Sequence, residues 1–439
     1  MHPSLSATPS YPLSLRDSRP LRYATFFYLY VMQGIPAGFA LYALANYLTA
    51  EGLSSAAVGQ FAAVVGFPWA VQFVWGPVID KFQGSPMGQR RPWVLLSQGL
   101  AFVASLGILF VTDPLRQVDT LAALFFVHSV VASVQDASVD ALAISVIPER
   151  ERGRVNAFMR GGFLSGISLG AALLSFLLRT EGFTAAAAVQ SALLLGFTVL
   201  TLFIKERPDD ALLPTQLWPV GSAPEAIRRP RSLRPSHSLG WLFGELFRGL
   251  TTRRSLWLFL PMLAYYACVS VFSRAFSYHL IRELGWPDTD VSVLQGTLGT
   301  AVVLAVVLAG GVLADRFGPA RLLLAVMAFN AGGYFVVNGL SAYWPEPAVA
   351  RTILVLWTLM DPLFSVASMP LLMSLCRRPV EGSQFTTYMA LVNLCDIAGA
   401  YTSGQAQMHL NAPTIGLLCG GVMALALGVA ARGSRHRAP

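Results

Sequence analysis

Two stretches of the 439-residue chain decide its fold, because one pattern occurs twice at matching places. The first reads Gly76-Pro-Val-Ile-Asp80-Lys81-Phe82 and is followed by Gly88-Gln-Arg90-Arg91. The second reads Gly311-Val-Leu-Ala-Asp315-Arg316-Phe317 and lies about half the chain later. Each stretch follows the second long apolar run of its half, so the spacing indicates two copies of one structural unit.

The composition around these stretches is that of a membrane protein. Hydrophobic residues make up 54% of the chain, charged residues 12%, and the mean hydropathy is +0.57, whereas soluble proteins carry about 25% charged residues. At roughly 20 apolar residues per membrane crossing, about 12 helices would use nearly the whole length. This leaves no room for a soluble catalytic domain.

Apolar runs of spanning length form two sets of six, which predict an all-α integral membrane protein with 12 transmembrane helices in two pseudo-symmetric halves. Spans 1 to 6 are predicted near 23–49, 56–80, 92–112, 118–147, 154–179 and 184–204, and spans 7 to 12 near 255–284, 289–314, 320–342, 348–376, 383–408 and 412–432. The expected domains are a tail (1–22), a six-helix bundle (23–204), a linker (205–254), a second bundle (255–432) and a tail (433–439).

The net charge of +8 comes mainly from loops on one side of this arrangement. Those loops hold Arg16, Arg19, Arg22, Lys81, Arg90, Arg91, Arg150, Arg152, Arg154, the basic residues of 205–254, Arg316, Arg321, Arg377, Arg378, Arg432, Arg435 and Arg437. The opposite loops hold Arg116, Arg179, Arg282 and Arg351. The positive-inside rule therefore predicts that both termini and the linker are cytoplasmic. The basic residues indicate topology, so we expect no nucleic-acid partner.

Enzyme, metal and cofactor signatures are missing from the sequence. The cysteines are dispersed, with no spacing typical of disulfides or zinc sites: Cys268, Cys376, Cys395 and Cys419. The six histidines are also dispersed. A phosphate-binding loop needs a glycine before its lysine, and neither Lys81 nor Lys205 has one. We therefore expect no enzymatic activity, no cofactor and no metal site.

The paired stretches resemble the signature loop of the major facilitator superfamily. Further stretches in the first 160 residues are similar to the branch of AmpG muropeptide permeases, acetyl-CoA transporters and RhtX/FptX siderophore permeases. They are Tyr30-Val-Met-Gln33-Gly34-Ile35-Pro36-Ala-Gly38, Val74-Trp75-Gly76-Pro77-Val-Ile-Asp80, Gly88-Gln-Arg90-Arg91-Pro-Trp93, Gln135-Asp136-Ala-Ser-Val-Asp140 and Pro148-Glu-Arg-Glu-Arg152-Gly153. The chain departs from the usual loop at Gln89, which interrupts a basic run, and at Lys81, where arginine is more usual.

The resemblance implies two halves that rock about a site at the middle of the membrane. It also implies that both signature loops latch one state. The latch residues would be Gly76, Asp80, Arg90, Arg91, Gly311, Asp315 and Arg316. An acid, an arginine and a closely packing glycine give such loops contacts that break and re-form.

Ionisable side chains inside apolar spans are costly and are therefore candidate functional residues. They are Asp136, Asp140, Arg160, Arg274, Asp361 and Asp396. Because the resemblance places spans 1, 4, 7 and 10 around a central cavity, the substrate-binding candidates are Gln33, Asp136, Arg274 and Asp361. Asp136 and Asp361 are also proton-coupling candidates, while Asp140 and Arg160, at similar depth, are predicted to form an intramembrane ion pair.

Several roles stay open at the level of sequence. Asp136 could be either a proton carrier or a hydrogen-bonded structural acid. Arg274 could bind either an anionic group of the substrate or an acidic side chain within the membrane. Gln33 suits either a substrate contact or the kink expected at Pro36. Pro362 predicts a second helix break, beside Asp361.

These features predict a proton-coupled symporter that imports a bulky polar solute across a bacterial inner membrane by alternating access. The resemblance ranks a muropeptide-like cell-wall fragment first, a ferric siderophore second and a coenzyme A thioester third. A non-transporting membrane sensor on the same fold is the alternative from another class. The expected partners are the small-molecule substrate, protons and the lipid bilayer, and the expected oligomeric state is a monomer.

Overall fold

The computed structural model describes residues 13–81, 85–148, 151–213, 244, 247–298, 316–376 and 381–435, which are largely helical. In the first half, the helices are α1 (Arg19–Gly38), α2 (Ala45–Ala50), α3 (Ser55–Ala70), α4 (Trp75–Lys81), α5 (Arg91–Ile108), α6 (Val118–Val146), α7 (Arg152–Thr180) and α8 (Phe183–Leu202). In the second half, they are α9 (Arg253–Arg282), α10 (Asp288–Val293), α11 (Pro319–Gly339), α12 (Pro347–Leu375), α13 (Glu381–Ala406) and α14 (Ala412–Arg435). Phe39–Leu44 and Leu294–Leu298 are π-helical.

Ten helices of the described residues are long and apolar enough to cross a membrane. They correspond to predicted spans 1 to 7, 9, 10 and 12, with α1 and α2 together forming the first. Helix α13, at 26 residues, occupies the place of span 11 but falls outside that apolar set. Span 8 begins at α10 and continues into residues that the structure does not describe. The observed helices are therefore consistent with the predicted arrangement of twelve.

The helix break predicted at Pro362 is wrong, and the helix does not break at Pro36 either. Pro36 lies inside α1 and Pro362 lies inside α12, and both helices continue past them. A proline removes one backbone hydrogen bond, and neighbouring helices in a membrane bundle can hold the remaining turns in place. The irregularity in the first span comes slightly later, where α1 changes to a π-helix at Phe39.

The core of the N-terminal half depends on glycines that bring α1 and α7 into backbone contact. A Cβ atom on Gly34 would collide with the carbonyl oxygen of Phe163, and one on Gly166 with that of Val31. Three further glycines on these helices, Gly38, Gly162 and Gly170, would collide in the same way. Small residues at four-residue spacing allow such close packing in membranes, so α1 and α7 form one unit.

The C-terminal half is packed instead by large aromatic side chains. Phe272 of α9 lies against Tyr334 of α11, Trp357 of α12 and the buried Trp344. Tyr265 stacks on Phe364 with ring centroids 3.7 Å apart. These contacts hold α9, α11 and α12 together in the second bundle.

Candidate functional site

A cavity of about 440 Å³ lies between the two halves. Its lining comes from α1 to α3 and α7 in the first half, and from α9, α12, α13 and the π-helical Gln295 and Gly296 in the second. The resemblance had implied that span 4 lines this cavity, but none of the described α6 residues does so.

Two of its charged side chains form an ion pair that joins the halves. Arg160 Nη2 of α7 lies 3.9 Å from Asp361 Oδ2 of α12. The two side chains are 45% and 48% exposed, respectively, and both line the cavity. A pair at this distance and exposure is weak, so water or a solute can replace it.

Two further charged side chains of the described lining pair within the C-terminal half. Arg274 of α9 binds Asp396 of α13 in a bidentate arrangement, with both nitrogen–oxygen distances at 3.0 Å. Arg274 also donates to the hydroxyl of Ser270, which in turn donates to the backbone carbonyl of Asp396. Two partners were open for Arg274, and in the structure its partner is an acidic side chain within the membrane, Asp396.

The predicted ion pair between Asp140 and Arg160, both described by the structure, is wrong. Asp140 Oδ1 instead accepts a hydrogen bond of 2.6 Å from the hydroxyl of Tyr30, and Arg160 approaches Asp361. Depth along two helices fixes the height of a side chain but not the direction in which it points. Asp136 lies one turn before Asp140, and the Tyr30 hydroxyl interacts with both carboxyl groups. Tyr30 is a site residue that the sequence did not single out, although it begins the stretch that contains Gln33.

Gln33 does not line the central cavity but a smaller one beside it. This cavity measures about 30 Å³ and is enclosed by residues of the N-terminal half, among them Gln33, His128 and Gln135. Four residues, Ala37, Leu41, Gly66 and Trp69, line both cavities. The four substrate-binding candidates therefore separate: Arg274 and Asp361 face the central cavity, Gln33 the side cavity, and Asp136 the Tyr30 hydroxyl.

The end of the molecule opposite the linker, called here the far side, is closed by polar contacts between the halves. Arg179 of α7 bridges Glu51 and Asp288, with 2.9 Å between its Nε and Asp288 Oδ1. Asn46 Nδ2 donates to Ser292 Oγ at 2.9 Å and to Gln295 Oε1 at 3.2 Å.

Helices α3 and α13 meet at the same end through glycines. A Cβ atom on Gly404 would lie 2.5 Å from the carbonyl oxygen of Ser55 and 3.1 Å from Gly59 Cα. The hydroxyl of Ser55 donates to the carbonyl of Gly404 at 2.9 Å. A polar contact nearer the middle of the bundle joins Asn393 to the carbonyl of Trp69 at 3.3 Å. The described contacts between halves thus extend from the far side to mid-depth.

On the linker side, residues 205–213, called here the strap, bind the first signature loop. The buried Glu206 carboxylate accepts hydrogen bonds from the backbone N–H groups of Gln89 and Arg90 at 2.9 and 3.0 Å, at the positive N-terminal end of α5. Arg91, 2% exposed, donates to the carbonyls of Leu202 and Ala211 at 2.6 and 2.8 Å. The strap therefore belongs to the N-terminal half.

Asp210 is a titratable group of this strap. Burial raises the pKa of its carboxyl from 3.8 to about 6, and the hydrogen bond from the backbone N–H of Arg207 partly opposes the shift. Glu206 also raises this pKa, whereas the charges of Arg207 and Arg91 lower it.

The predicted latch residues are described only in part. Arg90 and Arg91 bind the strap within their own half, Gly76 is exposed near the end of span 2, and Asp80 lies in α4. Arg316 is exposed and lies over the ring of Phe317. Gly311 and Asp315 lie outside the described residues.

Comparison with known proteins agrees with this architecture. The model of the Major Facilitator Superfamily matches residues 24–400. The anhydromuropeptide permease of Escherichia coli K12 is 26% identical over 382 residues, which cover 86% of this chain and 72% of the relative. The putative transporter AmpG 3 of Rickettsia prowazekii is 22% identical over 271 residues, or 58% of this chain and 59% of the relative.

Solved structures give the same fold. The nucleoside transporter NupG has a TM-score of 0.67 at 13% identity and covers 94% of this chain and 99% of its own. The xylose transporter XylE from E. coli has a TM-score of 0.64 at 14% identity, with coverages of 92% and 96%. The predicted fold is confirmed. With most of its length matched by the family model, the chain belongs to the major facilitator superfamily, a family of multi-pass membrane transporters.

Proposed function

We propose that this transporter is a proton-coupled symporter that imports an anhydromuropeptide-like solute across a bacterial inner membrane by alternating access. The observation that carries the proposal is the ion pair between Arg160 and Asp361, which joins the two halves at the wall of the central cavity. An acid whose cationic partner sits on the opposite half links its protonation to the contact between the halves.

The proposed cycle uses this pair as a switch. With the strap side cytoplasmic, as the positive-inside rule favours, the far-side contacts of Arg179 and Asn46 close the outer end. A proton bound by Asp361 neutralises the carboxylate and releases Arg160 for an anionic group of the solute. Loss of the proton to the cytoplasm restores the pair as the solute leaves.

Asp136 is a second proton-binding candidate, beside Asp140. Two carboxyl groups one helical turn apart, with the Tyr30 hydroxyl donating to one of them, favour sharing a proton over carrying two negative charges. This pair lies on α6, outside the described lining of the central cavity. Its protonation would therefore act on the N-terminal half rather than directly on the contact with the solute.

The proposed substrate rests on the relative from E. coli, whose name states the solute that it carries. The volume of the central cavity, about 440 Å³, falls in the range of small-molecule sites. Both arginines, Arg160 and Arg274, have carboxylate partners that a solute carboxylate can replace.

The test is uptake of labelled anhydromuropeptide into proteoliposomes under an imposed proton gradient. We expect uptake to stop when a protonophore collapses the gradient and to fall at least about tenfold in Asp361→Asn, which cannot ionise. Asp113→Asn, in a far-side loop outside the cavity, is the control and is expected to transport normally. Uptake that is indifferent to the gradient would overturn the coupling.

Substrate identity is tested separately by thermal stabilisation, because a ligand that binds only the folded state raises the melting temperature. Anhydromuropeptide, a ferric siderophore and acetyl-CoA are compared on the purified protein. We expect a shift with the first alone. A shift with another solute would replace the substrate, and no shift with any would favour the sensor alternative.

A further inference from the structure

The side cavity, which the proposed cycle does not use, is lined by polar side chains of the N-terminal half, and three of them have buried atoms without a partner among the described residues. Gln33 of α1 and His128 and Gln135 of α6 are 4%, 3% and 2% exposed. Both terminal atoms of Gln33, Nε2 of His128 and Nε2 of Gln135 have no hydrogen-bond partner among the described residues. A buried polar atom without a partner is unfavourable, and four of them around one cavity call for a ligand.

The side cavity is within reach of a solute in the central cavity. Ala37 and Leu41 on one wall, and Gly66 and Trp69 on another, line both spaces. The two cavities are therefore adjacent, separated by these four residues, and a substituent of a solute in the central cavity reaches the side cavity when the side chains between α1 and α3 move aside. Its volume of about 30 Å³ suits a group with two polar atoms, since a water-sized group needs about 10–15 Å³.

The lining selects the chemistry of that substituent. The described residues around the side cavity include no arginine, lysine, aspartate or glutamate. An ionised group would lose its water there without gaining a counter-ion, and an apolar group would leave the polar atoms unpaired. A carboxamide brings a donor and an acceptor together, as the side chain of Gln33 does.

We propose that the cavity of Gln33, His128 and Gln135 is a subsite for an uncharged carboxamide group of the transported solute. This subsite proposal rests on the proposed function in one respect only, namely that a solute occupies the central cavity. The two cavities then divide the recognition: Arg160 and Arg274 bind ionised groups, and the side cavity binds a neutral amide. The substrate class narrows to solutes that carry both kinds of group.

The first experiment uses small probes, so that it does not depend on the identity of the solute. Fluorine NMR follows the line width of trifluoroacetamide, and of trifluoroacetate as its charged counterpart, with the purified full chain. We expect the trifluoroacetamide line to broaden with the parent protein. In Gln33→Leu the broadening should fall at least about fivefold, the equivalent of one hydrogen bond. The trifluoroacetate line should be the same in both proteins.

A matched control separates the subsite from a general effect of removing a buried amide. Gln190 of α8 is 1% exposed and its Oε1 also has no partner among the described residues, but it lies outside the side cavity. Gln190→Leu should broaden the trifluoroacetamide line as the parent does. Equal broadening with Gln33→Leu, or none with the parent, would overturn the subsite and leave water as its occupant.

Folding does not obscure the result. Leucine at position 33 removes polar atoms that have no partner among the described residues, so the melting temperature should stay equal or rise. Gln135→Leu changes the same cavity from α6 and provides a second variant if Gln33→Leu does not fold.

The second experiment uses transport and keeps the two proposals distinguishable. Uptake is compared for anhydromuropeptide and for its N-deacetylated derivative, in which amines replace acetamido groups. Gln33→Leu should raise KM about fivefold for the intact solute and leave KM for the derivative unchanged. Equal effects on both solutes would overturn the subsite. No uptake of either by the parent would reject the proposed substrate, while the fluorine measurement would still decide the subsite.

Discussion

The interface within the N-terminal half and the interface between the halves are built in opposite ways. Helices α1 and α7 touch backbone to backbone along several turns, through Gly34, Gly166 and their neighbours. Between the halves, the described residues approach as closely around Gly59 and Gly404 of α3 and α13, and Gly296 lies close to Ala171 of α7. Long polar side chains make the other contacts described above. Close packing has no substitute in lipid, whereas water can replace polar contacts. The difference indicates where the molecule is rigid and where it opens.

The largest expected effect comes from breaking the rigid interface. In Gly166→Ala the added Cβ collides with the carbonyl oxygen of Val31, so α1 and α7 must separate or bend. We expect a loss of about 3 kcal/mol or more of stability, measured as the melting temperature of the purified protein. Gly196→Ala is the control because nothing lies within 4 Å of its Cβ position, and it should be neutral or stabilising. Equal stability of the two variants would contradict the proposed role of this packing.

The same substitution between the halves should change conformation rather than folding. In Gly404→Ala the added Cβ lies 2.5 Å from the carbonyl oxygen of Ser55, but the halves can move apart to accept it. We expect a melting temperature near that of the parent and opening of the far side. The measurement is the labelling rate of a cysteine introduced at the buried Thr49, with a membrane-impermeant maleimide. A rise of about tenfold is expected, equal to 1.4 kcal/mol. Unchanged labelling together with a lowered melting temperature would show that the interface between α3 and α13 is rigid as well.

A smaller opening is expected from Arg179→Ala, which removes one polar bridge across the far side. The pair with Glu51 is partly exposed, and such pairs contribute about 0.2–1 kcal/mol, whereas Asp288 is buried and would lose its cationic partner in the closed state. Losing both contacts should therefore raise labelling at position 49 at least about threefold to fivefold. Arg116→Ala provides the control, since this far-side arginine pairs only with Asp113 among the contacts described and is 88% exposed. Similar labelling rates in both variants would show that Arg179 does not help to close the far side.

The smallest effect concerns the strap, which belongs to the rigid half. Because burial raises the pKa of Asp210 from 3.8 to about 6, the strap is most stable when this carboxyl is protonated. Its docking should be strongest below about pH 4 and weaken as the pH rises through about 6. Hydrogen exchange of the Ala211 amide, which donates to the Pro86 carbonyl, reports the docking. Asp210→Asn should remove this dependence, and its persistence in that variant would assign it to another group.

The sequence predicted the fold well because apolar length and a repeated loop are one-dimensional signals. It identified the charged residues of the cavity but not all of their partners, since counting along a helix gives depth and not rotation. Asp140 and Arg160 share a depth yet bind Tyr30 and Asp361. The four-residue spacing of Gly162, Gly166 and Gly170 was visible in the sequence, but only the structure identifies α1 as the partner helix.

The contact between α1 and α7 also sets an order for making the protein. Arg22, at the start of α1, forms a buried ion pair with Glu151, the N-cap of α7, across 129 residues of sequence. At roughly 5–20 residues per second, the ribosome needs about ten seconds to supply that partner. During this interval the glycine face of α1 lacks its partner helix α7, and Arg22 lacks Glu151. The insertion machinery or the surrounding lipid must therefore cover the first span of the nascent chain until the fifth span, α7, is inserted.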